Sequence, residues 1–78
     1  MTTHTSTSGG LALKLLRSEA GLTQGEVATL ASVAPAYLSK VERGSHAPSP
    51  AFVAKVAGAI AGRMAADAVA APRLRLTA

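Results

Sequence analysis

Thr23, Gln24, Tyr37, Ser39, Lys40, Arg43, Ser45 and His46 are concentrated in one short stretch, and every one of these side chains can donate a hydrogen bond. Lys40 and Arg43 add positive charge to the neutral donors, so the set suits a partner rich in acceptors and negative charge. That chemistry is recognition, not bond-breaking. The chain has no cysteine and only two histidines. No close Ser–His–Asp set, pair of carboxylates or phosphate-cradling glycine loop appears, so an enzyme is not expected. A metal would need ligands at suitable spacing, and His4, Asp67 and scattered glutamates do not supply them. No cofactor is expected either.

Positioning such donors requires rigid elements, and the same stretch specifies two. Thr23 and Glu26 have the spacing of a capping box, in which each side chain bonds the other's backbone amide. A helix opening there runs to about Ala31 and buries Val27, Ala28 and Ala31, with Leu30 at its edge. Pro35 suits the first turn of a following helix because its missing N–H would be unpaired there. Leu38 and Val41 point inward, Pro35, Ala36, Tyr37, Ser39 and Lys40 point outward, and Gly44 ends the helix. A capped helix, a tight turn and a second short helix can hold that second helix away from a small body. About nine residues at roughly 1.5 Å each span about 13 Å, enough to cross a DNA major groove.

The remaining elements are also helical. Leu11 to about Ala20 forms a first helix ended by Gly21, with Ala12, Leu13, Leu16 and Ala20 on one face, Arg17 at its edge, and Leu11 and Leu15 opposite. Ser49 caps a fourth helix with Pro50 at its first position, and Phe52, Val53, Val56, Ala57 and Ile60 line its inner face. Gly62 is expected to break it, leaving Arg63 to Ala70 as a fifth, alanine-rich helix stopped by Pro72. Arg73 to Thr77 alternates with period two, a strand pattern. The fold class is therefore all-α, a compact bundle of four to five short helices with a candidate dimerisation strand at the C-terminus.

Composition agrees. Seventy-eight residues suffice for one domain, and one Phe, one Tyr and no Trp leave an aliphatic core. The net charge of +4 points toward a polyanion. Residues 1–10 read as a flexible Thr/Ser/Gly-rich leader without a signal-peptide pattern, 11–71 as the folded domain, and 72–78 as a basic tail. With no apolar run near the roughly 20 residues of a membrane span, a soluble cytoplasmic protein is expected.

Arg17, Leu22-Thr23-Gln24, Glu26, Ala28, Val33, Leu38, Ser39, Val41, Glu42-Arg43-Gly44 and Pro48 together carry a resemblance. Residues 11–62 resemble the helix-turn-helix domain of the phage repressor and Cro family, also called the XRE family, which implies a lambda repressor-like bundle. The resemblance implies a role for each matched position. Gln24 holds a backbone phosphate and braces the recognition helix, with the free amides of its helix start assisting. Pro35, Ala36, Ser39 and Lys40 face bases: Lys40 can donate to guanine, Ser39 to several base edges, and Pro35 and Ala36 can touch a thymine methyl. Thr23, Tyr37, Arg43, Ser45 and His46 lie along the DNA backbone. Arg17 and Glu42 pair across the first and third helices.

Three positions depart from the family pattern. Ser32 stands where glycine is common and would need left-handed backbone. Ala34 replaces the usual side-chain cap. Gly25 interrupts a helix. Pro35 and Ala36 leave the reading edge short of donors, shifting weight onto Lys40, Ser39, methyl contacts and DNA shape. The implied function is a sequence-specific repressor of phage or bacterial type, acting as a homodimer that occludes a palindromic operator. Candidate dimer contacts are Leu11 and Leu15, or Leu74 and Leu76 as a paired strand. Alternatively, a fifth helix covers Leu11 and Leu15 within one chain. Other functional readings are the antitoxin of a toxin–antitoxin pair, which would add a protein partner, and a protein-interaction adapter reusing the fold.

Overall fold

The computed structural model describes the backbone of residues 5–77 and the side chains of residues 9–70. Four helices follow one another: α1 (Thr5–Ala20), α2 (Gln24–Ala31), α3 (Pro35–Glu42) and α4 (Pro50–Thr77). No strand occurs among the described residues.

Each boundary has a local cause. Gly21 takes a φ of 73° and lets the Leu22 N–H reach back to the Arg17 carbonyl at 3.1 Å, closing α1. At the start of α2 the Glu26 N–H donates to Thr23 Oγ1 at 3.0 Å, and the Thr23 N–H donates to Glu26 Oε1 at 2.8 Å. The capping box is complete. Ser32 ends α2 in the left-handed region, φ 56° and ψ 49°. That conformation is strained for a residue with a Cβ, and it reverses the chain in the short turn before α3. Ala34 caps α3 without a side-chain bond, and Pro35 begins it. Gly44, at φ 82°, turns the chain out of α3, and the Phe52 N–H donates to Ser49 Oγ at 3.1 Å to cap α4.

The core is aliphatic. Leu13 from α1, Leu22, Val27, Ala28 and Ala31 at α2, Leu38 and Val41 from α3, and Val56 and Ile60 from α4 are buried together. Each fully buried Leu, Ile or Val contributes about 1.5–3 kcal/mol through lost water contact. α4 packs on α1 and α2, and α3 packs on α1 and α2. The short α3 is thus held against the other helices, with Pro35, Ala36 and Lys40 left exposed.

Several expectations require correction. α1 begins at Thr5, before the expected Leu11, so helix extends into the expected leader. Gly10 supplies a packing reason: it is buried, and a Cβ there would overlap the Val41 carbonyl oxygen at the end of α3. Its missing side chain lets the α1 backbone approach α3 closely. Ala12, expected on the inner face, is exposed, because Gly9, Gly10 and Leu13 take that side of the helix.

Gly62 does not divide the C-terminal segment. α4 is one helix of 28 residues, with Ile60 and Met64 packed against the core on either side of the glycine. A mid-helix glycine costs only about 1 kcal/mol relative to alanine, and this one is set among strong helix formers. No separate fifth helix exists to cover Leu11 and Leu15, which are 52% and 59% exposed. The expected strand at 73–77 is the continuation of α4. The side chains of Leu74 and Leu76 lie outside the described ones. Residues 65–70 are all exposed, so α4 runs on past the body of the bundle.

Candidate nucleic-acid interface

The anchor of α3 is a polar cluster on its inner side. Arg17 Nε donates to Glu42 Oε2 and Arg17 Nη2 to Glu42 Oε1, both at 2.8 Å. Arg17 Nη1 donates to the Leu22 carbonyl at 2.9 Å, and Gln24 Nε2 donates to Glu42 Oε1 at 2.9 Å. One carboxylate therefore joins the end of α1, the start of α2 and the end of α3. The Glu42 side chain is 3% exposed and that of Arg17 15%. No buried side-chain N or O atom among the described residues lacks a partner. The bidentate fork fixes both distance and angle, which a single point charge would not.

The electrostatics follow from this geometry. Burial alone would push the Glu42 carboxyl up. The hydrogen bonds from Arg17 and Gln24, with the attraction of Arg17 and then Lys14, outweigh it and hold the group below the usual glutamate range. The hydrogen bond to Glu42 raises Arg17 further, against its own partial burial. Glu26 is also lowered, chiefly by the backbone hydrogen bond from Thr23. At neutral pH Glu42 is ionised, turned inward and fully engaged.

The opposite side of α3 presents the donors. Pro35, Ala36 and Lys40 are exposed, and Ser39 and Tyr37 are half-buried. The Tyr37 ring meets Phe52 edge-on with centroids 4.8 Å apart, and His46 at 5.0 Å. This stack joins α3, the following loop and the start of α4. Exposed Ser45 donates its hydroxyl to the Lys40 carbonyl at 3.1 Å, folding the loop back onto the helix end. Exposed Arg43 donates through Nη1 to Ser39 Oγ at 2.8 Å. Thr23 lies exposed at the start of α2, and Gln24, beside it, is half-buried. Gln24 Nε2 carries two hydrogens, and Glu42 takes one.

Sequence reasoning did not anticipate the Ser39–Arg43 bond, the Tyr37–Phe52–His46 stack or the third Arg17 contact, to the Leu22 carbonyl. The first had a usable signal, since residues four apart are neighbours on a helix surface. The others join segments distant in sequence or involve a backbone atom and had no comparable signal. Arg63 makes an exposed contact with Asp67 at 3.3 Å one turn on.

Among the described residues, no group of three or more His, Cys, Asp or Glu side chains is placed to hold a metal ion. Among the same residues, no helix is long and apolar enough to cross a membrane. In comparisons with known proteins, a family model described as a helix-turn-helix domain matches residues 10–71. The comparison with curated proteins and that with solved structures return no significant match.

Proposed function

This chain belongs to the helix-turn-helix domain family, and we propose that it is a sequence-specific DNA-binding transcriptional regulator acting by operator occlusion. The observation that carries this reading is the two-sidedness of α3. Leu38, Val41 and Glu42 are locked into the bundle, while Pro35, Ala36 and Lys40 face outward. Eight helical residues span about 12 Å, matching the width of a major groove.

In this mechanism α3 enters the groove. Lys40 donates to guanine O6 or N7, the Ser39 hydroxyl to a base edge, and Ala36 and Pro35 touch thymine methyls. The first amides of α2 and the second Gln24 amide hydrogen hold one phosphate, and Thr23 lies beside it. Tyr37 on the flank of α3, and Ser45 and His46 beyond its C-terminal end, follow the sugar–phosphate backbone. These contacts set register; the groove contacts set sequence.

We further propose a homodimer on a two-fold operator in a bacterial or phage-infected cytoplasm. The exposed Leu11 and Leu15 of α1 support a protein contact there, since two large apolar side chains one turn apart remain uncovered. Polymerase is then excluded by the occupied site, and no covalent chemistry is involved.

Selection of bound duplexes from a random pool tests this reading. A recovered palindrome, and affinity falling with salt at about 0.9 per phosphate neutralised, is the expected result. Lys40→Ala and Gln24→Ala should each weaken binding while leaving the helical circular dichroism spectrum intact. Wild-type affinity in both variants would remove α3 and the α2 start from the interface.

A further inference from the structure

We propose that Arg43 reads a base, with Ser39 as the residue that aims it; this inference rests on the DNA-binding reading above. The resemblance assigns Arg43 to phosphates, as part of the loop after α3. The geometry assigns it instead to the outer face of the helix itself. Arg43 keeps helical backbone angles, φ −77° and ψ −9°, and its N–H still donates to the Ser39 carbonyl. Arg43 is the C-cap of α3, and the positive φ that turns the chain away comes one residue later, at Gly44.

At about 100° per residue, Ala36, Ser39, Lys40 and Arg43 fall within one arc roughly 100° wide. Helical side chains lean toward the N-terminus, so the Arg43 chain runs back along that arc, not out along the loop. The 2.8 Å bond from Nη1 to Ser39 Oγ holds it there. That bond occupies one nitrogen of the guanidinium and leaves the Nε and Nη2 edge free. Two parallel N–H groups on one edge match guanine O6 and N7. Among the described residues no carboxylate pairs with Arg43, and its sequence neighbour Glu42 is engaged by Arg17 and Gln24.

Pro35 and Ala36 bring no donor to the N-terminal half of the face. Direct readout by hydrogen bonds therefore moves to the C-terminal half, where Lys40 and the Ser39–Arg43 pair stand. The half-site should contain a guanine opposite Arg43, in addition to the base pair facing Lys40.

Arg43→Lys tests this, because it keeps the charge and removes the planar fork. Wild type, Arg43→Lys, Arg43→Ala and Ser39→Ala would each be taken through selection from a random duplex pool and salt titration. The expected result for Arg43→Lys is loss of discrimination at one guanine position per half-site, on the order of 10- to 100-fold, with an unchanged salt slope. Ser39→Ala should relax the same position to a smaller degree.

Two results would overturn the proposal. If Arg43→Lys selects the wild-type sequence at every position, while Arg43→Ala weakens all sequences alike and lowers the salt slope by about 0.9, Arg43 is a phosphate contact. The DNA-binding reading then survives without it. If wild-type protein enriches no sequence and its binding ignores salt, that reading and this inference fall together.

Discussion

Replacing Glu42 with alanine should be the most damaging single substitution of a polar side chain in this bundle. It removes the two Arg17 bonds and the Gln24 bond, leaving the Arg17 guanidinium only the Leu22 carbonyl. Breaking a buried ion pair by deleting one partner destabilises by about 3–5 kcal/mol. Arg17 retains 15% exposure, so water relieves part of that, and about 2–4 kcal/mol is expected. A domain of this length has only about 4–12 kcal/mol in total, at roughly 0.05–0.15 per residue. The melting temperature, followed by helical circular dichroism, should fall by about 10–30 °C. With an m-value near 1 kcal/mol/M, the urea midpoint should drop by about 2–4 M. The double variant Arg17→Met with Glu42→Leu should recover more than half of the loss, because it removes the orphaned charge as well as its partner. A Glu42→Ala midpoint indistinguishable from wild type would refute the reasoning, as would a double variant no more stable than the single.

Acid should destabilise the protein through the same group. Glu42 is held below its ordinary pKa, so the unfolded chain takes up the proton first. Its contribution is present above the unfolded value, near 4.3, and is lost as pH falls through the lower folded value. Glu26 acts in the same direction, so the wild-type acid profile minus that of Glu42→Gln isolates Glu42. Identical profiles would remove Glu42 from the linkage. The glycines should divide by environment. Gly10→Ala should destabilise by about 1–3 kcal/mol, because its Cβ would overlap backbone at Val41. Gly62→Ala, where nothing lies within 4 Å, should stabilise by about 0.5–1 kcal/mol. Urea midpoints moving in the same direction for both would contradict the packing described here.

The helix-turn-helix was legible because its signals are local. Thr23 and Glu26 satisfy each other across three residues, Pro35 carries its own φ, and Ser32 and Gly44 sit where the chain must turn. The errors came where a local signal met a non-local term. Gly62 reads as a break, but the core contacts of Ile60 and Met64 keep both sides on one helix. The Arg73–Thr77 alternation reads as a strand, yet those residues continue an existing helix, and extending one avoids the cost of a new nucleus. Gly9 and Gly10 read as part of a Thr/Ser/Gly-rich leader, whereas Gly10 serves the approach of α1 to α3. The donor set itself was visible in sequence. The hydrogen bond that directs Arg43 was not, because spacing makes a contact available without showing that it forms.

Glu42 and Arg43 are adjacent in sequence, yet successive residues on a helix point about 100° apart. One is buried and holds the bundle together; the other is exposed on the outer face. Changes at Pro35, Ala36, Lys40 or Arg43 therefore alter what the face offers without touching the carboxylate that fixes its position. A helix anchored in this way can carry proline and alanine at two outward positions and remain in place. In the proposed reading, what it loses is directional contact at those positions, which Lys40 and the Ser39–Arg43 pair would supply. The weak N-terminal half of the α3 face and the braced arginine at its other end are consistent with a shift of readout along the same rigid helix.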